Sequence, residues 1–158
     1  MLMNRSALPF ICTSALLLCL TVPGFAAAHG GATGVVKERM EMMKSLGDRM
    51  KSMAAMVRGK VPFDAAEMAA AAQEIQDKAP EITQLFPEGS LRKPSEALPS
   101  IWQEWDRFSE MAEQLGNEAS GLNDIAIAGS RREIMRQFTR VGKACSGCHT
   151  DFRVEQKE

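Results

Sequence analysis

Residues 130–153 read SRREIMRQFTRVGKACSGCHTDFR. Ser130, followed three residues later by Glu133, is the capping-box pattern of a helix N-terminus. Apolar residues and two cysteines then recur every three or four positions, at Ile134, Phe138, Val141, Cys145, Cys148 and Phe152. A stripe with this period is typical of an amphipathic helix. The stretch therefore predicts a helix from Arg131 to about Arg153 with one buried face.

Two upstream segments repeat this period, and neither alternates as a strand does. The first spans residues 33–58 and ends at Gly59. Its stripe is Val36, Met40 or Met43, Gly47, Met50, Ala54 and Val57. The second spans residues 64–78 and begins at a predicted capping box of Asp64 and Glu67. Pro80 interrupts it, so a short turn is expected up to residue 86, followed by a loop over residues 87–99.

A further helix is predicted from residue 99 or 100, and the break at Gly129 separates it from the last one. Its stripe is Ile101, Trp105, Phe108, Ala112, Leu115, Ala119 and Leu122. Gly116 and Gly121 are expected to weaken its second half. Four amphipathic helices with mostly short links predict an all-α fold, an up-down-up-down antiparallel four-helix bundle. The spacing of alternate threes and fours favours left-handed packing near 20°.

Length and charge narrow the function classes. The chain has 158 residues, which suits one domain of ordinary size. A hydrophobic fraction of 45% and a charged fraction of 25% are those of a globular protein and argue against disorder. The net charge of -1 gives no electrostatic basis for binding nucleic acid.

The N-terminus has the pattern of a secretory signal peptide. Arg5 supplies the positive charge, residues 8–22 are almost wholly apolar, and three alanines at residues 26–28 form a cleavage site. The apolar run is short for a membrane span. We therefore expect residues 1–28 to be removed, taking Cys12 and Cys19 with them, and residues 29–158 to form one domain in the periplasm with no membrane span.

The remaining cysteines form the motif Cys145-Ser146-Gly147-Cys148-His149. C-x-x-C-H is the attachment motif of c-type haem, because two thiols at this spacing can each bond one haem vinyl group while the histidine binds the iron. A thioredoxin-like redox pair, a zinc site and a structural disulfide are the alternatives. The first normally lies at a helix N-terminus after a strand, the second lacks a fourth ligand, and the third leaves His149 unexplained. One covalent haem c is therefore the predicted cofactor.

The helix levels restrict the sixth iron ligand. In an antiparallel pair with Arg58 level with Arg131, His149 falls near Met40, and Met43 is within one turn of that level. Met40 and Met43 share a helix face, so both stay open on geometry alone. Three further methionines of this helix, Met50, Met53 and Met56, are interpreted as core filler.

With a haem motif near the C-terminus of a four-helix bundle, the chain resembles class II c-type cytochromes, the group of cytochrome c-prime and cytochrome c-556. The resemblance rests on Arg39 with Met43, Gly59 followed by PFDA at residues 62–65, LFP at 85–87, Ile101 with Trp102, VGKA at 141–144, and Arg153 four residues past His149. It favours Met43 over Met40 as the distal ligand. It also implies that Arg39 and Arg153 pair with the haem propionates.

Two functions follow from the ligand set. His149 and Met43 together imply low-spin, six-coordinate iron, and hence an electron carrier rather than an enzyme. Without Met43 the iron is five-coordinate, and the protein would bind nitric oxide or carbon monoxide.

The helix levels also predict residues for the apolar wall of the haem pocket, namely Leu85, Phe86, Trp102 and Trp105. A basic face on the last helix suits an acidic periplasmic redox partner, with a monomer or a homodimer left open; its residues are Arg131, Arg132, Arg136, Arg140 and Lys143.

Overall fold

The computed structural model describes residues 31–155. The predicted signal peptide therefore lies outside the described residues. The described part contains five α-helices: α1 Gly34–Val57, α2 Ala65–Lys78, a short α3 Ser100–Gln103, α4 Trp105–Ala126 and α5 Arg131–Phe152. Two 3-10 turns, Ala79–Glu81 and Thr83–Leu85, follow α2 where the proline was expected to interrupt it. Among the described helices, none combines the length and apolarity that crossing a bilayer requires.

The four long helices form the predicted bundle, in which α2 packs on α4, α4 on α5 and α1 on α2. Helices α1 and α5 run antiparallel but contact each other far less than the other neighbours do. Two contacts define their register. Arg131 Nη2 donates to the Val57 carbonyl oxygen at 3.3 Å, and a Cβ added at Gly142 would lie 3.8 Å from Met50 Cε. These pairs place His149 about level with residues 39–43.

The helix ends match the sequence signals with one difference. Gly59 has a φ of +69°, the left-handed conformation that ends a helix, directly after α1. The Ser130 and Glu133 capping box of α5 is confirmed in both directions. At α2, Asp64 accepts from the Glu67 backbone N–H, but Glu67 Oε1 instead accepts from Ser52 Oγ on α1 at 2.6 Å. The predicted reciprocal box is replaced there by a contact between two helices.

The third predicted helix is broken, because Glu104 leaves the helical conformation with φ -123° and ψ 43°. The break rotates Trp105 out of the stripe, so that 37% of it is exposed, while the other stripe residues are buried. Helix α4 continues without a break through Gly116 and Gly121, the two glycines expected to weaken it. A Cβ at Gly116 would lie 3.3 Å from Ala79 Cβ, and one at Gly121 would lie 3.0 Å from Gln137 Nε2. These glycines allow neighbouring helices to approach closely.

The methionines of α1 divide between the core and a cavity. Met53 and Met56, which lie off the predicted stripe, are buried in the core, as expected for adaptable filler. The stripe residues Met40, Met43, Gly47 and Met50 line a cavity. Met50 is also partly buried against the core, so it packs as expected and borders the cavity between α1 and α5 as well.

Candidate haem site

A cavity of about 600 Å³ separates α1 from α5. Pockets of about 300–1,000 Å³ are the usual size for bound cofactors. Its walls are mostly apolar, and its shape explains why these two neighbouring helices barely touch. Residues from α1, α4 and α5 line it together with part of the loop after α2, among them Leu46, Ile82, Phe108, Met111, Leu115 and Ala144.

The motif residues lie in one wall, on the C-terminal third of α5. Cys145 and Cys148 are half-buried free thiols, and His149 is exposed at the cavity rim. Burial raises the pKa of Cys145, and burial together with the neighbouring Cys145 and Asp151 raises the pKa of Cys148 to about 11. Partial burial and the nearby Arg153 lower the pKa of His149, which favours the neutral imidazole that an iron ligand must be.

The thiol environment argues against the alternatives to haem. Reactive redox cysteines have lowered pKa values and commonly lie at helix N-termini, whereas this pair has raised values late in a helix. Over residues 31–155, no group of three or more His, Cys, Asp or Glu side chains could hold a metal ion such as zinc. Two unpaired thiols beside an apolar cavity suit a cofactor that bonds them and fills that cavity.

The opposite wall carries both candidate distal ligands. Met40 and Met43 line the cavity and belong to the part of α1 that lies level with His149. Gly47 lies one turn beyond Met43, and no atom comes within 4 Å of a Cβ added there. A glycine inside a helix costs about 1 kcal/mol relative to alanine. Its missing side chain widens the cavity beside the two methionines.

Three phenylalanines form one cluster in the lining of the cavity. Phe108 makes edge-to-face contacts with Phe86 at 4.9 Å and with Phe152 at 5.3 Å between ring centroids. Of the three, the sequence predicts only Phe86 for this wall. Phe108 and Phe152 belong to the apolar stripes of their helices. The stripe pattern therefore predicts that both are buried, but it does not tell whether a residue faces the core or the cavity.

Leu85, Trp102 and Trp105 do not line the cavity, in contrast to the expectation for the apolar wall. Trp102 donates its Nε1–H to the Phe86 carbonyl oxygen at 2.9 Å and so supports the wall from behind. Trp105 is displaced by the break at Glu104 and packs at the edge of Phe108, with 5.7 Å between the rings. Leu85 contributes to this region through its backbone carbonyl oxygen, which accepts hydrogen bonds from an arginine side chain.

That arginine is Arg39, which lines the cavity yet is only 5% exposed. Its guanidinium donates to Leu85 O, Ser90 O, Ser90 Oγ and Ser95 Oγ, and it lies 3.9 Å from the centre of the Phe86 ring. Burial lowers the pKa of Arg39. Arg153 also lines the cavity and binds Glu96 Oε2 through Nε and Nη2. Both arginines line the cavity, and both hold protein groups that the sequence did not reveal, while their pairing with haem propionates stays a prediction.

An apolar cavity in a helical bundle, with two free thiols and an imidazole in C-x-x-C-H order on one wall, defines a c-type haem protein. A sequence profile described as Cytochrome C' matches residues 34–153. The chain belongs to this family, and it is a c-type cytochrome with covalent haem c.

Known relatives carry both names of the group. Cytochrome c-556 of Agrobacterium fabrum is 34% identical over 125 residues, which cover 79% of this chain and 84% of the relative. Cytochrome c' of Pararhodospirillum photometricum is 32% identical over 119 residues, covering 75% and 94%. The structure of cytochrome c' from Rhodopseudomonas palustris superposes with a TM-score of 0.74 at 27% identity, covering 80% of this chain and 100% of that one. Similarity therefore does not choose between the two ligand sets.

Proposed function

We propose that this cytochrome carries electrons in the periplasm, with His149 and Met43 as the axial ligands of a haem attached through Cys145 and Cys148. The observation that carries the proposal is the register of α1 and α5, which supports a methionine of α1 as the partner of His149 across the cavity, and of Met40 and Met43 the family resemblance favours Met43. Haem iron held by an imidazole and a thioether is six-coordinate and low-spin and changes oxidation state without opening a substrate site.

The protein groups around the cavity suit this role. Apolar side chains from α1, α4 and α5 exclude water, which keeps the local dielectric constant low. The cysteines are placed for two thioether bonds on one face of α5. With both axial positions filled, the protein would act as a carrier and not as an enzyme.

Optical and electron-paramagnetic spectra of the purified holoprotein test the ligand set. The unmodified protein should be low-spin. Met43→Ala should turn it high-spin, whereas the matched variant Met40→Ala, which alters another methionine of the same cavity, should leave it low-spin. Loss of the low-spin signal in Met40→Ala alone would move the ligand to Met40, and high-spin iron in the unmodified protein would refute the proposal.

A five-coordinate protein that binds nitric oxide or carbon monoxide is the second candidate. A small ligand needs room on the distal side, and Gly47, which has no side chain, lies on that wall one turn from Met43. The 32% identity to a relative named cytochrome c' also favours this candidate. In this case Met43 would only cover the distal face, and the unmodified protein would bind carbon monoxide as readily as Met43→Ala does.

Export and partner binding complete the proposal. Residues 1–28 would be removed on export, which N-terminal sequencing of the periplasmic protein would establish. Arg132, Arg136, Arg140 and Lys143 form an exposed stripe on α5 that ends two residues before Cys145. This stripe suits an acidic redox partner, so electron-transfer rates should fall as salt is added and fall further when Arg136 and Arg140 are changed to Glu.

A further inference from the structure

Residues 85–98 join α2 and its turns to α3, and we name them the strap. Apart from Leu85, which ends a 3-10 turn, the strap contains no helix. It crosses the end of the cavity, and Phe86, Glu96 and Ala97 contribute to the lining. A segment without regular structure must satisfy its backbone polar groups elsewhere. Besides neighbours in the preceding turn and in α3, the partners of the strap lie on α1 and at the end of α5, the two helices that carry the proposed iron ligands.

On α1 the partner is Arg39. Its Nε and Nη2 donate to the Leu85 carbonyl oxygen at 3.0 and 2.7 Å, and Nη1 donates to the Ser90 carbonyl oxygen at 3.3 Å. Nη2 and Nη1 also donate to Ser90 Oγ at 2.7 Å and to Ser95 Oγ at 2.9 Å. A guanidinium has five N–H groups, so the strap takes the full donor capacity of this buried side chain.

On α5 the partners are the residues at and beyond the helix end. The Leu98 N–H donates to the Phe152 carbonyl oxygen at 2.9 Å, and the Val154 N–H donates to the Glu96 carbonyl oxygen at 2.8 Å. Arg153 adds hydrogen bonds of 2.9 and 2.6 Å to Glu96 Oε2. The second half of the strap is therefore joined to α5 by backbone and side chain together.

The two attachments bracket the ligand positions. Arg39 precedes Met43 by four residues and Arg153 follows His149 by four residues, so each arginine lies one helical turn from a ligand. Because α1 and α5 are antiparallel, both turns point toward the same end of the bundle. The strap thus connects two helices whose direct contacts are few, at the level where their separation matters for coordination.

We propose that the strap sets the separation of α1 and α5 and thereby holds Met43 within bonding reach of the iron, with Arg39 and Arg153 as positioning residues. This inference rests on the proposed His149 and Met43 ligand set. Releasing the strap lets α1 move outward, so that the bond from Met43 to the iron is broken in a fraction of the molecules. The iron becomes five-coordinate in that fraction although neither His149 nor Met43 has been substituted. The strap would in this way decide how far an electron carrier can behave as a gas binder.

The test compares Arg39→Gln and Arg153→Gln with Arg49→Gln in the holoprotein. Arg49 is on α1 as well, but its partner is Glu74 on α2, so it controls for loss of an arginine hydrogen bond away from the strap. We expect both strap variants to gain a high-spin fraction and to bind carbon monoxide about tenfold more tightly, since apparent affinity scales with the fraction of the competent state. Arg49→Gln should match the unmodified protein.

Arg153 is exposed enough for its variant to fold even where the buried Arg39→Gln variant does not, since Arg153 retains 39% of its side-chain exposure. Low-spin iron in the unmodified protein, with strap variants identical to Arg49→Gln, would overturn the strap proposal alone. High-spin iron in the unmodified protein would overturn the ligand set and this inference with it. The two failures are therefore distinguishable.

Discussion

The pairing of α2 with α4 and the pairing of α1 with α5 differ in how closely the helices approach each other. Where α2 ends against α4, small side chains bring the backbones together, since a Cβ added at Gly116 would lie only 3.3 Å from Ala79 Cβ. Between α1 and α5, the backbones are further apart, and side chains of both helices line a cavity. The first pair is packed side chain against side chain, whereas the second pair encloses a cavity of about 600 Å³.

This difference separates the residues that stabilise the bundle from the residues that surround the haem site. Close packing buries apolar surface and supplies stability without a cofactor. An apolar cavity forfeits those contacts until something fills it. Substitutions in the α2 and α4 pair should therefore change stability, and substitutions in the α1 and α5 pair should change cofactor chemistry.

The largest effect is expected from removing both thiols. Cys145→Ser with Cys148→Ser eliminates the groups that bond haem, so covalent haem should be lost completely. Haem staining after denaturing electrophoresis and intact mass measure this. Ser146→Ala, which alters the residue between the two cysteines, should keep its haem. Covalent haem in the double variant would contradict the attachment assigned to these cysteines.

Truncation of a core methionine should produce the next largest effect. Met53 is fully buried, and Met53→Ala should lower the free energy of unfolding by about 2–5 kcal/mol. Because Met53 does not line the cavity, the haem spectrum should stay the same. Urea denaturation followed by circular dichroism tests the first part. Met53 lies on α1 but packs in the core with residues of α2 and α4, so a changed spin state in this variant would show that the core and the cavity are not independent.

Gly116→Leu tests the close approach in the α2 and α4 pair directly. Overpacking costs about 1–3 kcal/mol, and this side chain would meet Ala79 and the Gln76 carbonyl. The same denaturation experiment measures it, with an unchanged spectrum as the second criterion. If stability were unaffected, the tight approach of these helices would not be a source of it.

The helix caps lie outside both pairs and should matter less. Ser130 accepts from the Glu133 backbone N–H, so Ser130→Ala should lower the free energy of unfolding by about 1 kcal/mol. Thr33 is the matched control, since it precedes α1 without a side-chain cap hydrogen bond. Thr33→Ala should stay within about 0.5 kcal/mol of the unmodified protein. Equal losses in the two variants would mean that the capping bond contributes nothing.

The smallest effect is a pH dependence at the same cap. Hydrogen bonds from the Ser130 hydroxyl and backbone, with the charge of Arg136, hold the pKa of Glu133 below its usual value of 4.5. A carboxyl with a lowered folded pKa stabilises fully above its usual pKa, and this contribution disappears as pH falls through the folded value. The stability difference between the unmodified protein and Glu133→Gln should therefore shrink from pH 6 to pH 3. A constant difference would contradict this.

The fold was largely accessible from sequence, because helix periodicity and caps are local signals. The prediction of α1 over residues 33–58 agrees with Gly34–Val57 and its flanking residues, and the break after it falls at the expected glycine. The break at Glu104 had no such signal, since no proline or glycine marks it. Trp105 was misplaced for that reason.

The candidate site was predictable to the extent that it depends on spacing along one helix. The C-x-x-C-H spacing and the antiparallel register placed Cys145, Cys148 and His149 on one wall with Met40 and Met43 opposite. The partners of Arg39 were out of reach, because Leu85, Ser90 and Ser95 lie 46–56 residues away in a segment without periodicity. Long-range contacts of irregular segments leave no pattern in the chain.

The place of the cavity between the first and last long helices has a consequence for assembly. The chain is synthesised from its N-terminus, so α1, α2 and α4 are complete before α5 and its cysteines exist. Those three helices can already pack through α1 with α2 and α2 with α4. The thiols thus lie on the last helix of the chain, which adds the second wall of the cavity to a packed set of three helices.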